Sequence, residues 1–194
     1  TSLSSHEVAQ GYKDVKEPSI YVKFKVKSEP GVYLMAWTTT PWTLPSNVAL
    51  TVNPRETYIR AKCGDETYIL AESLADTVLE NGYAVTGSHK GSELFGMEYE
   101  PLFDFAAPEQ KAYYVVHDDF VTLDDGTGIV HTAPAFGEDD AKVGRQYDLP
   151  FVQLVNDQGE FVEAVEPWKG MFVKTADPLI IKDLESRGLV YKIM

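Results

Sequence analysis

The sequence predicts a mainly β fold: a closed or nearly closed β-barrel of short strands with a few peripheral α-helices. Short runs rich in β-branched and aromatic residues recur along the chain, separated by Gly, Asn, Asp and Pro. Helix signals are few, and the regular strand–helix alternation of a parallel α/β sheet is missing.

In chain order, residues 19–26 alternate cleanly, with Ile20, Val22, Phe24 and Val26 on one face and Tyr21, Lys23 and Lys25 on the other. Residues 32–40, 48–52, 57–62 and 67–70 are the next strand candidates, with turns expected at Asn53-Pro54 and Gly64-Asp65. A short helix is expected over 71–79. Strands follow at 112–117 and 128–132, the second introduced by the turn Asp124-Asp125-Gly126. Residues 137–147 read as a helix, because Glu138, Asp139 and Asp140 fall in its first turn, where carboxylates suit the helix dipole. A strand over 151–155 and a turn over 156–159 come next. The last helix should be capped by Asp177, carry Pro178 at its first position and stop at Gly188.

At 194 residues the chain fits one domain with a substantial core. No apolar run is long enough to span a bilayer, and no basic segment followed by an apolar one marks a signal peptide. The sequence opens on Thr1 rather than Met, so we expect a segment of a longer chain. Cys63 is the only cysteine, which excludes an intramolecular disulfide and a Cys-based zinc site and points to a reducing, cytoplasmic setting. The net charge of −13 argues against gripping nucleic acid by charge alone. It leaves room for contact with a nucleic-acid end delivered by another domain.

Two stretches carry chemistry. The first is "AWTTTPWTLP", Ala36 to Pro45. On a strand Thr38 and Thr40 would share a face while Thr39 points the other way, and Pro41 would end the ladder. With Thr43 and Asn47 nearby, these hydroxyl and amide groups can hydrogen-bond a ribose, a base edge or an ester without net charge, and Trp42 adds an apolar wall. The alternative is a β-branched strand whose threonines serve β propensity.

The second is "DDGTGIVHTAPAFGEDD", Asp124 to Asp140. It places the His131 imidazole at a strand end and three carboxylates at the following helix start, with small residues between. A partly buried Asp there could bind an ammonium group; the alternative is dipole-complementing surface acids and a strand-end histidine. No Gly-x-Ser-x-Gly elbow, phosphate loop or metal-ligand spacing is found, so neither a metal nor a cofactor is expected.

Together, "WTTTPWTLP" and "GTGIVHTAPAFGEDD" resemble the editing domain inserted in isoleucyl-tRNA synthetases. The valyl and leucyl branches typically carry Thr-Thr-Arg-Pro in the first motif; Thr39-Thr40-Pro41-Trp42 favours the isoleucyl branch. The resemblance implies a β-barrel with peripheral helices, over a single domain of residues 1–194 excised from a larger class I synthetase. It also implies hydrolysis of valine wrongly attached to tRNA(Ile), and of valyl-adenylate in the full enzyme. By position, Thr38, Thr39, Thr40, Thr43 and Asn47 would surround the terminal adenosine and the ester, with Thr39 and Thr40 orienting ester and water. Trp42 and His131 would shape the amino-acid pocket, and Asp140 would hold the α-ammonium. The implied partners are the 3′ end of valyl-tRNA(Ile), valyl-adenylate and the rest of the synthetase. Neither the His-Ile-Gly-His nor the Lys-Met-Ser-Lys-Ser sequence of the synthetase core is present, so amino-acid activation is not expected. Two other functions remain open: a valyl-type domain acting on threonyl-tRNA, and a non-catalytic module binding an amino acid or nucleoside.

Overall fold

A computed structural model describes residues 18–194. Alternating apolar residues form β1 (Ile20–Lys25), which pairs antiparallel with β2 (Val32–Thr38), Ile20 opposite Thr38. There follow β3 (Ala49–Val52), β4 (Thr57–Cys63), β5 (Glu66–Ala71), β6 (Ala84–Lys90), β7 (Tyr114–His117), β8 (Ile129–Thr132) and β9 (Val190–Ile193). The helices are α1 (Ala75–Val78), α2 (Glu138–Gln146) and α3 (Val173–Ser186).

The strands form two sheets, a six-stranded one in the order β6-β4-β5-β2-β1-β9 and a three-stranded one in the order β7-β3-β8. Pairing is antiparallel except between β2 and β5 and between β3 and β7. The mainly β class with few helices is therefore observed, but barrel closure is not seen among the described residues. β2 already has both edges paired, to β1 and β5, so β8 packs beside it without joining its ladder.

Alternation explains the core. Ile20, Val22, Phe24, Leu34, Ala36 and Ile69 face one apolar cluster, shared with the small sheet and α3. Tyr21, Met35, Tyr68 and Leu70, one residue out of step, face a second cluster covered by α1. The central strands β1, β2 and β5 of this sheet are thus buried on both faces. Lys23 is accommodated on the second face because its ammonium meets Glu66 at 2.8 Å.

Several elements differ from expectation. β2 stops at Thr38 rather than at residue 40, because Thr38 Oγ1 accepts the Thr40 N–H at 3.0 Å and a 3-10 turn, Pro41–Ser46, begins at once. Residue 71 stays in β5, and the helix expected over 71–79 is reduced to a 3-10 turn, Glu72–Leu74, and α1. The last helix starts at Val173, so Asp177 is not its cap and Pro178 lies inside it. Burial of Val173, Ala176, Ile180, Ile181 and Leu184 along one stripe outweighs the hydrogen bond that Pro178 cannot make. Gly188 does end it, with φ +72° just past the C-cap. The strand expected over 151–155 is only an isolated bridge, Val155 to Phe161. There the Gln153 side chain accepts the Val155 N–H at 2.9 Å, in place of a neighbouring strand.

The ends of the described chain meet, with Ser19 and Met194 exchanging backbone hydrogen bonds of 3.3 and 2.8 Å beside the β1–β9 ladder. No helix among the described residues is long and apolar enough to cross a membrane.

One glycine fixes the approach to β8. Gly128 has φ +78°, and a Cβ there would lie 2.6 Å from the Ala71 Cβ and 2.9 Å from the Leu123 Cδ2. Strain and overpacking should therefore add in Gly128→Ala, lowering stability by about 2–4 kcal/mol. Urea denaturation of the variant against the parent measures it, and an unchanged midpoint would contradict this account of the turn.

Candidate functional site

β8 ends beside the threonine-rich segment, and His131 is where they connect. Its Nε2 lies 2.9 Å from Thr43 Oγ1 and its Nδ1 2.9 Å from Asn47 Nδ2. Asn47 Nδ2 also donates to the Ala49 carbonyl at 2.9 Å, while Asn47 Oδ1 accepts from the Tyr99 hydroxyl. Thr43 Oγ1 donates to the Thr40 carbonyl at 2.9 Å. Both ring nitrogens are therefore engaged within the protein. Thr43 and Asn47 lie behind the ring, 6% and 5% exposed.

Burial pushes the His131 pKa down to about 4, so the ring is neutral at physiological pH. Between about pH 6.5 and about 4 the unfolded chain binds a proton that the folded chain does not, so folding stability falls as pH falls through that window and is unaffected above it. Relative to His131→Gln, the parent should lose up to about 3 kcal/mol across this window. Denaturation at a series of pH values reads the difference, and a difference that stays constant would contradict a neutral imidazole with a lowered pKa.

A cleft of about 340 Å³ opens against His131, lined among others by Trp37, Thr38, Thr39, Phe120 and Thr122. Two of the three adjacent threonines thus share it, because the chain leaves the strand at Thr38 and strand alternation no longer applies. The Thr38 hydroxyl is occupied by Thr40 N–H, whereas Thr39 is exposed. Thr40 contributes its carbonyl, which accepts the N–H and the hydroxyl of Thr43.

Trp42 and Asp140 do not line this cleft; both attach to the neighbouring 133–137 turn. Trp42 packs edge-on against Phe136, ring centroids 5.2 Å apart, and its buried indole N–H has no hydrogen-bond partner among the described residues. Asp140, in the first turn of α2, folds back so that Oδ2 accepts the Ala133 N–H at 2.8 Å. This ties the helix start to the end of β8, two residues beyond His131. Burial raises the Asp140 pKa above the ordinary carboxylate value, against the pull of the Ala133 N–H and of its own backbone N–H. Desolvation thus outweighs the backbone N–H groups that favour the ionised carboxylate. A cation beside the carboxylate would offset that desolvation. Asp139 and Glu138 are exposed.

Sequence reasoning missed Tyr99, which lies in no periodic stretch and reaches the site only through folding. It also read Asp125-Gly126 as a turn alone, although both residues line the cleft. Among the described residues no group of three His, Cys, Asp or Glu is arranged to hold a metal ion.

No protein-family model matches the chain. The isoleucine–tRNA ligase of Clostridium novyi is 60% identical over 192 residues, which cover 99% of this chain and 18% of that protein. Among solved structures, GlLeuRS-CP1 superposes with a TM-score of 0.71 at 15% identity, covering 91% of this chain and 99% of that one. The P. knowlesi cytosolic leucyl-tRNA synthetase editing domain gives 0.69 at 14%, covering 90% and 95%. The chain therefore resembles an isoleucine–tRNA ligase over nearly its whole length, spans about 18% of that relative's length, and has the fold of these editing domains.

Proposed function

We propose that this chain is the proofreading domain of an isoleucine–tRNA ligase, hydrolysing valyl-tRNA(Ile) and, within the full enzyme, valyl-adenylate. The observation that supports this best is the cleft between Thr38-Thr39 and the fixed, neutral His131, with the Asp140 carboxylate tethered to the same strand end. The size logic belongs to the family and is not a result of this structure. Isoleucine and valine are the standard example of a pair that one hydrophobic pocket separates poorly, so that a second site must destroy the smaller product.

In this proposal the ester and terminal ribose lie along Thr38, Thr39 and Thr40, and the exposed Thr39 hydroxyl is the group best placed to meet them. Asp140 binds the α-ammonium, the one full positive charge on an aminoacyl ester. His131 is a poor general base. Its Nδ1 lone pair is taken by Asn47, and a pKa near 4 leaves little drive to collect a proton at neutral pH. Hydrolysis then proceeds by attack of an oriented water on the ester carbonyl, with a ribose hydroxyl assisting and hydrogen bonds stabilising the developing oxyanion. This chemistry needs no cofactor. The acidic chain leaves most of the tRNA affinity to the remaining domains of the ligase.

The test is a full-length ligase carrying this sequence, compared with the same enzyme lacking residues 18–194. Deacylation of valyl-tRNA(Ile) should be lost in the deletion while isoleucine activation persists; equal deacylation by both would refute the proposal.

A further inference from the structure

Tyr99 is fully buried, and its hydroxyl donates to Asn47 Oδ1. That single bond has consequences along a chain of groups. With Oδ1 turned to Tyr99, Asn47 Nδ2 must face the Ala49 carbonyl and His131 Nδ1. An amide N–H can only donate, so His131 Nδ1 accepts, and the ring proton sits on Nε2. Nε2–H then donates to Thr43 Oγ1, whose own proton goes to the Thr40 carbonyl. Each donor in this relay has one acceptor, and reversing any member leaves two acceptors or two donors face to face.

From this relay we infer that Tyr99 is a positioning residue for the cleft: through Asn47 it fixes the tautomer and the ring orientation of His131, and so the shape of the wall that His131 presents beside Thr39. Tyr99 does not itself line the cleft and acts from behind. It is held by an edge contact with Phe24 at 5.2 Å and a second with Tyr113 at 6.2 Å. The phenols of Tyr99 and Tyr113 are both raised by burial, so neither changes charge near neutral pH. The inference deepens the proposed function, since a wall that selects by one methylene must not rotate.

The experiment is nitrogen-15 NMR of the His131 imidazole in the parent, in Tyr99→Phe and in Tyr113→Phe. Tyr113→Phe removes a neighbouring hydroxyl that does not bond Asn47, and it serves as the control. The parent should show the Nε2–H tautomer, and an Nδ1–H tautomer there would overturn the inference without any variant. Tyr99→Phe leaves Asn47 Oδ1 buried without its donor, so the tautomer ratio should fall by roughly tenfold, while Tyr113→Phe stays as the parent. An unchanged ratio in Tyr99→Phe, or an equal fall in both variants, would make Tyr99 ordinary core. The tautomer measurement uses no substrate, so it succeeds or fails independently of the editing activity. In a full-length ligase, Tyr99→Phe should also narrow the preference for valyl over isoleucyl ester, with Tyr113→Phe unchanged.

Discussion

Asp140→Ala, in a full-length ligase carrying this sequence, should release valine from valyl-tRNA(Ile) roughly 10- to 150-fold more slowly than the parent. That range is the loss of one charge-assisted contact of about 1.5–3 kcal/mol, expressed as a rate. The structure separates two parts of the effect. Alanine removes the negative charge and also frees the Ala133 N–H that Asp140 Oδ2 accepts. Asparagine keeps an oxygen for that N–H and removes only the charge. If Asp140 serves the α-ammonium, Asp140→Asn should be nearly as slow as Asp140→Ala. If it serves only to tie α2 to β8, Asp140→Asn should approach the parent. Exposed Asp139 supplies the control, and Asp139→Asn should edit at close to the parental rate. Because burial raises the Asp140 pKa and an ammonium prefers the ionised carboxylate, kcat/KM should rise with pH through that raised pKa and then level. Circular dichroism of each variant confirms the fold.

His131→Ala should admit isoleucine. The ring forms one wall of the cleft, and its loss leaves Thr43 bonded to Thr40 and Asn47 bonded to Ala49 and Tyr99, so the surroundings have reason to hold their shape. The space gained exceeds a methylene, the full difference between the competing side chains. Discrimination by one methylene is worth about 10- to 200-fold, and the variant should forfeit most of it, deacylating isoleucyl-tRNA(Ile) at a rate near that for valyl-tRNA(Ile). Were the isoleucine-to-valine preference unchanged, His131 would not belong to the size filter.

β1, β3 and β8 were legible from composition: Ile20, Val22 and Phe24 alternate with Tyr21, Lys23 and Lys25 in β1, while β3 and β8 are short runs rich in apolar and β-branched residues. β6 was not. Its residues are mostly exposed and include Gly87, against which Arg60 packs, so what holds it is its ladder with β4 rather than an apolar face of its own. β9, four residues at the edge beside β1, is likewise fixed by its partner. The segment 151–155 shows the converse: Val152 and Leu154 are buried and Phe151 and Gln153 exposed, yet alternation without a neighbouring strand does not make a ladder. For the candidate site, the two motifs located His131, Thr38, Thr39 and Asp140, but not which of them share a cleft. Spacing along a chain does not report that Thr43 and Asn47 sit behind a ring 84 to 88 residues away, or that the Tyr99 hydroxyl bonds Asn47. Nor does it report desolvation, which is why the direction of the Asp140 pKa came only with the fold.

The central claim is that this cleft hydrolyses an ester of valine and spares that of isoleucine. The most direct measurement is the rate of amino-acid release from valyl-, threonyl- and isoleucyl-tRNA by the full-length ligase, with each ester prepared on its own tRNA body and on tRNA(Ile). The account predicts fastest release from valyl-tRNA(Ile), and release from isoleucyl-tRNA(Ile) slower by about tenfold or more. Faster release from the threonyl ester than from the valyl ester would place the chain with the valyl-type domains, and no release above the spontaneous rate from any of the three would leave a binding module without hydrolytic function.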